Sequence, residues 1–122
     1  MNERSIVMVV EDDIDISEAI VSALQAYGYS AIAAKNGQEA LDKLRQGAKL
    51  PNLILLDLTM PVMDGREFQA AQKSDPALAD IPLVLLSAQS DIRSTAKEMG
   101  AAAWLLKPVQ LAELLEVLEA YA

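Results

Sequence analysis

The chain has 122 residues, ten Lys or Arg against eighteen Asp or Glu, a formal net charge of -8 and 52% hydrophobic residues. That length suits one domain around one buried core, and that hydrophobic share excludes a disordered acidic tail. The absence of Cys and His excludes disulfide scaffolds, zinc fingers, thiol nucleophiles and any Ser-His-Asp triad, while the acidic balance argues against direct nucleic-acid binding.

The first apolar run, Ile6 to Val10, reads as a buried strand. A helix should follow, with Ile16, Ala19, Ile20, Ala23, Leu24 and Tyr27 as its apolar stripe, Asp15 and Glu18 at capping-box spacing, and Gly28 as its stop. Ala31 to Ala34 is the second strand. Asn36 and Glu39 repeat the capping-box spacing before the second helix. Leu53 to Leu56 is the third strand, and Asp64 with Glu67 opens the third helix. Pro82 to Leu86 is the fourth strand, followed by a helix from Asp91 to Met99 that stops at Gly100. Ala102 to Leu106 is the fifth strand. The last helix covers Leu111 to Tyr121 and should bury Leu111, Leu114, Leu115 and Leu118.

Alternating strands and helices imply an α/β, doubly wound, five-stranded parallel sheet in a single domain, residues 1–122. Apolar runs such as Leu53 to Leu56 are too short to cross a bilayer. Charged Glu3 and Arg4 break any signal-peptide pattern. The expected setting is the cytoplasm, with no membrane partner.

Polar residues collect where strands end. Glu11 and Asp12 follow the first strand, Asp57 the third, Ser87 the fourth and Lys107 the fifth. In a parallel sheet these carboxyl ends share one edge, and open α/β sheets bind ligands there. Two carboxylates about 5 Å apart repel by roughly 3 kcal/mol at an effective dielectric near 20. Three together call for a counter-charge. Lys107 supplies one, and a hard oxygen-bound cation such as magnesium would supply more. Magnesium and a lysine beside a carboxylate suit phosphoryl transfer.

Val9-Val10-Glu11-Asp12-Asp13, Leu55-Leu56-Asp57-Leu58-Thr59-Met60-Pro61-Val62-Met63-Asp64-Gly65, Leu85-Leu86-Ser87-Ala88 and Leu105-Leu106-Lys107-Pro108 together resemble the receiver domain of two-component response regulators, the CheY-like superfamily. The resemblance spans the chain. It implies a flavodoxin-like (βα)5 fold with strand order 2-1-3-4-5 and a phosphorylation-activated switch. Asp57 would be the phosphoacceptor, taking its phosphoryl group from a histidine kinase or histidine phosphotransfer protein. Asp12, Asp57, Glu11 acting largely through water, and the carbonyl of Thr59 would hold Mg2+. Ser87, the amide of Ala88 and Lys107 would bind the phosphoryl group, with a cis Lys107-Pro108 bond aiming the lysine. Ser87 and Trp104 would form the switch that alters the surface of the fourth helix, fifth strand and fifth helix for a downstream protein target. Beyond phosphotransfer and autodephosphorylation, no enzyme activity is implied.

Other readings stand beside these. Asp13, Asp15 and Glu18 serve as favourable charge at a helix N-terminus, Asp64 as a helix cap, Gly65 as a source of loop geometry, Met60 and Met63 as packing, and Trp104 as a large residue on the sheet edge. An EF-hand counted from Asp13 fails, with Glu18 where glycine is needed and Leu24 where glutamate is needed. A haloacid-dehalogenase-like phosphatase would carry an acid where Thr59 stands. A flavin or nucleotide carrier would need a glycine-rich first loop, but Glu11 to Glu18 holds five acids and no glycine. A receiver-like interaction domain that ignores phosphorylation would not need every site position filled.

Overall fold

A computed structural model describes residues 4–47 and 49–122, so Glu3, used above against a leader, lies outside the described residues. In chain order the elements are β1 (Ile6–Val10), α1 (Ile14–Ala26), β2 (Ser30–Ala34), α2 (Gly37–Gln46), β3 (Leu53–Asp57), α3 (Gly65–Lys73), β4 (Leu83–Ser87), α4 (Ile92–Met99), β5 (Ala103–Leu106) and α5 (Leu111–Tyr121). The strands form one sheet of order β2-β1-β3-β4-β5, and every neighbouring pair is parallel. This is the expected flavodoxin-like arrangement. β3 and β4 each run one residue further than expected, so Asp57 and Ser87 are the last residues of their strands.

The period-two alternation of the strands divides the core into two layers. Met8, Val10, Ile54, Leu56, Leu83 and Leu85 face Leu41 and Leu44 of α2, Phe68 of α3, and Ile92 and Ala96 of α4. Val7, Val9, Leu53, Leu55, Val84 and Leu86 face Ile20 and Leu24 of α1 and Leu114, Val117 and Leu118 of α5. Continuous apolar strands are thereby required, because each residue in the run meets one layer or the other.

Four local expectations need correction. The side chain that caps α1 belongs to Asp13, which accepts from the Ile16 amide at 3.1 Å. Asp15 lies inside the first turn and acts only as charge there. Asp13 has the extended backbone that a cap requires (φ -78°, ψ 113°), and the helix has already begun at Ile14. The buried face of α1 is Ser17, Ile20 and Leu24, whereas Ala19 and Tyr27 are exposed. At α2, Asn36 accepts from the Glu39 amide at 2.8 Å, but the return arm of a capping box is not made. The Glu39 carboxylate instead lies 3.3 Å from Lys43 and 4.0 Å from Lys35. In α5 the buried face is Leu114, Val117 and Leu118, and Leu111 is 48% exposed. Leu111 lines an open cavity between α1 and the start of α5, so burial begins one turn later.

Asp64 and Glu67 do form the full reciprocal box at the start of α3. Gly65 follows it. A Cβ there would lie 2.8 Å from the Asp57 carbonyl oxygen and 2.9 Å from the Leu58 Cα, so only glycine lets α3 sit this close to the end of β3.

Candidate functional site

The carboxyl edge of the sheet gathers the expected residues in one open cleft of about 300 Å³. Asp57 ends β3 and Glu11 directly follows β1. Both are buried, at 4% and 2% exposure, while Asp12 is exposed at the rim. Ligand oxygens of Glu11, Asp12 and Asp57 all lie within 4.8 Å of one another. Lys107 Nζ lies 2.5 Å from Glu11 Oε1 and 3.4 Å from Asp57 Oδ2. The ammonium therefore bridges the two buried acids and offsets part of their mutual repulsion.

Backbone groups fix the acids in place. The Thr59 amide donates to Asp57 Oδ1 at 3.2 Å and the Asp13 amide to Glu11 Oε2 at 3.4 Å. The Glu11 amide donates to the Ala34 carbonyl at 3.0 Å, tying the end of β1 to β2. Burial and the nearby Asp57 carboxylate push the Glu11 carboxyl above its ordinary range, with Lys107 opposing. Burial alone would lower the Lys107 ammonium. Its hydrogen bond to Glu11 and the negative charges of Asp57 and Glu11 outweigh that and raise it. Lys107 is held as a cation.

Ser87 ends β4, the strand between β3 and β5. It is 5% exposed, and its Oγ accepts from the Gln89 amide at 3.1 Å. The Lys107 amide donates to the Ser87 carbonyl at 2.8 Å. The Lys107-Pro108 peptide is cis. Thr59 and Ala88 also line the cleft. Trp104 stands apart. It pairs in register with Leu85, which places it on the α4 side of the sheet, and at the β5 edge it is 41% exposed.

Two features had no sequence signal specific enough to single them out. The amides of Asp13 and Gln89 orient the acid and the hydroxyl of the site, and any residue type would provide them. Val62, in the loop after Asp57, has φ 69° and is 79% exposed, although a β-branched residue disfavours that conformation. A second cavity of about 350 Å³ lies between α1 and α5. Its walls are largely apolar and it holds no carboxylate, so the chemistry belongs to the acidic cleft.

The donor set fits a hard divalent cation. Three carboxylates converge, two of them buried, and one ammonium only partly balances them. Residues 7–119 match the family model of the response regulator receiver domain. The chain belongs to that family of two-component signalling modules, which are not classical enzymes. It is similar to the chemotaxis protein CheY4 of Vibrio cholerae, with a TM-score of 0.87 and 30% identity over 98% of this chain and 100% of that one. A response regulator receiver protein from Pseudomonas putida superposes with a TM-score of 0.87 at 26% identity, covering 98% of this chain and 99% of that one. The transcriptional regulatory protein PrrA of Mycobacterium tuberculosis is 36% identical over 110 residues, 88% of this chain but 46% of that protein. The chain spans about half the length of the curated relatives it matches, for example 41% of one and 50% of another.

Proposed function

We propose that residues 1–122 act as one receiver unit in which Asp57 accepts a phosphoryl group from a phosphohistidine on a histidine kinase or histidine phosphotransfer protein. The observation that carries this reading is the buried Asp57 carboxylate at a strand end, 3.4 Å from Lys107 and within a cluster of three acids. An Asp57 oxygen forms a bond to phosphorus as the phosphorus–nitrogen bond of the donor breaks. The freed imidazole takes its proton from solvent. Lys107 pairs with the phosphoryl oxygens, and Ser87 Oγ and the Ala88 amide bind them as well.

Glu11, Asp12, Asp57 and the Thr59 carbonyl would hold Mg2+. When bound, the ion would neutralise charge on the transferring group. Phosphorylation would then favour a second arrangement of Ser87 and Trp104, altering the α4-β5-α5 surface for a downstream protein target in the cytoplasm. Hydrolysis of the aspartyl phosphate resets the domain.

Incubation with a small phosphodonor and magnesium, followed by intact mass, tests the reading. One phosphoryl group should appear in the wild type and none with chelator or in Asp57→Asn. Undiminished labelling of Asp57→Asn would overturn it. The switch role of Trp104 is checked by its fluorescence. Magnesium and beryllofluoride, which stands in for the phosphoryl group, should shift its emission or its quenching by acrylamide, and the shift should be absent in Asp57→Asn.

A further inference from the structure

The chain has three asparagines, and Asn36 alone precedes a glycine. A side-chain amide followed by glycine carries its own chemistry. Glycine has no Cβ to hinder its backbone nitrogen, so that nitrogen can turn onto the asparagine Cγ. In the folded protein this pair opens α2, and two hydrogen bonds hold it. Asn36 Oδ1 accepts from the Glu39 amide at 2.8 Å, and the Gly37 amide donates to the Met63 carbonyl at 3.0 Å. Both residues are buried.

Packing forces the glycine. A Cβ at position 37 would lie 2.7 Å from Met63 Cγ and 2.9 Å from the Met63 carbonyl oxygen. The second contact is backbone and cannot swing aside. The β3–α3 connection can therefore seat on the start of α2 only over glycine, and a capping residue must precede it. Serine, threonine or aspartate would cap as well. Asparagine in that place completes a reactive pair.

The seam and the chemistry compete for the same atoms. Attack of the Gly37 nitrogen on Asn36 Cγ closes a nearly flat five-membered ring. At the Asn36 ψ of 174° the nitrogen is turned out of the plane of that ring. Closure thus requires the Gly37 peptide to rotate away from Met63 and the Asn36 side chain to leave the Glu39 amide.

We propose that Asn36–Gly37 is a deamidation site kept dormant by Met63, with its native rate set by local opening between α2 and the β3–α3 connection. In the open state the Gly37 nitrogen gives its proton to solvent base and bonds to Asn36 Cγ. The Cγ–Nδ2 bond breaks, ammonia leaves and a succinimide forms. Water then opens the ring at either carbonyl. One product is aspartate, which still caps α2 and adds favourable charge at its N-terminus. The other is isoaspartate, whose main chain is longer by a methylene. That insertion shifts Gly37 against Met63, so the bond between them is not restored. The observed rate is the rate of the open chain multiplied by the open fraction. None of this depends on the phosphoacceptor reading.

The test ages the whole chain in mildly alkaline buffer, folded and in urea. After digestion, chromatography and mass spectrometry resolve the peptide bearing residue 36 into asparagine, succinimide, aspartate and isoaspartate. Wild type is compared with Met63→Ala, Met63→Leu, Asp64→Ala and Val117→Ala, and circular dichroism verifies folding. Folded wild type should react about a hundred-fold more slowly than the same chain in urea. Met63→Ala uncovers Gly37 and should speed the folded reaction about five-fold or more. Met63→Leu keeps the cover and should stay within about two-fold of wild type. Asp64→Ala loosens the residue next to Met63 and serves as a second probe where Met63→Ala does not fold. Val117→Ala weakens the core beneath α5, away from the seam, and should leave the folded rate within about two-fold.

Absence of succinimide-derived product in urea would remove the reactive pair itself. Equal rates for folded and urea-treated wild type would show that the fold does not restrain it. An unchanged folded rate in whichever of Met63→Ala and Asp64→Ala folds would overturn the gate at Met63. Equal acceleration by Val117→Ala would also overturn it, because the reaction would then pass through global unfolding.

Discussion

The β3–α3 connection, which carries Asp57, is held along its whole length, whereas the β4–α4 connection, which carries Ser87, is not. In the first, the Thr59 amide binds Asp57, the Met63 amide binds the Pro61 carbonyl, the Gly65 amide binds the Leu58 carbonyl, and the Gly37 amide of α2 binds the Met63 carbonyl. The Asp64–Glu67 box completes it. The second has the Gln89 amide on Ser87 Oγ and the Ile92 amide on Gln89, with no side chain capping α4. A nucleophile benefits from a fixed position, because misplacement slows attack. A segment that reports the reaction needs low local stability, so that a few kcal/mol can redistribute it. The two connections are close neighbours on one sheet edge and, on the proposed reading, would divide these requirements between them.

Gly65→Ala should break the rigid side most severely. The added Cβ would meet backbone atoms of Asp57 and Leu58 at 2.8 and 2.9 Å, which cannot swing aside as a side-chain tip could. A loss of about 1–3 kcal/mol in urea unfolding is expected, together with slower phosphorylation of Asp57 by a small donor. A variant as stable as the wild type would show that α3 can retreat. Asp64→Ala removes the cap and its box and should cost about 1 kcal/mol, read from the same unfolding midpoint.

Val62→Asn should act in the opposite direction. Asparagine tolerates the left-handed backbone, and Val62 at 79% exposure has little packing to lose. A gain of about 1 kcal/mol is expected, and a loss would mean that Val62 is held by contacts worth more than its strain. The smallest effect belongs to the loose side. Asp91→Ala should change stability by no more than about 0.3 kcal/mol, since no capping bond is lost. A loss comparable to that of Asp64→Ala would erase the distinction between the two connections.

Much of this was legible in the residues alone. Near-continuous Val, Ile, Leu and Met at Ile6 to Val10, Leu53 to Leu56 and Leu83 to Leu86 can be satisfied only between two helical layers, so the sheet and its loaded edge followed. Glu11, Asp57, Ser87 and Lys107 were readable because each terminates such a run. The cap of α1 was not, since Asp12, Asp13 and Asp15 are chemically equivalent candidates and the choice falls to backbone angles. The limits of burial on α1 and α5 were missed because the stripe of a helix shows its apolar face but not where the sheet stops beneath it. Ala19 and Leu111 line the open cavity between α1 and α5, and Tyr27 follows the last residue of α1. Val62 gave no warning either, because its backbone is imposed by bonds on both sides of it and not by its own preference.

The bridge that Lys107 makes between Glu11 and Asp57 bears on the valence of the cation that the cleft would hold on the proposed reading. Counted as formal charges, the three carboxylates exceed the one ammonium by two. A monovalent cation would leave one behind, a trivalent cation would overshoot, and a divalent cation brings the cluster to neutrality. An incoming phosphoryl group then meets a surface that no longer repels it. With the lysine removed, the acids would keep their own charge, the net negative charge of the cluster would rise by one, and the preference among cations would shift toward higher valence. On the proposed reading, the lysine would thus contribute to the ion selectivity of the cleft as well as bind the phosphoryl group that follows the ion.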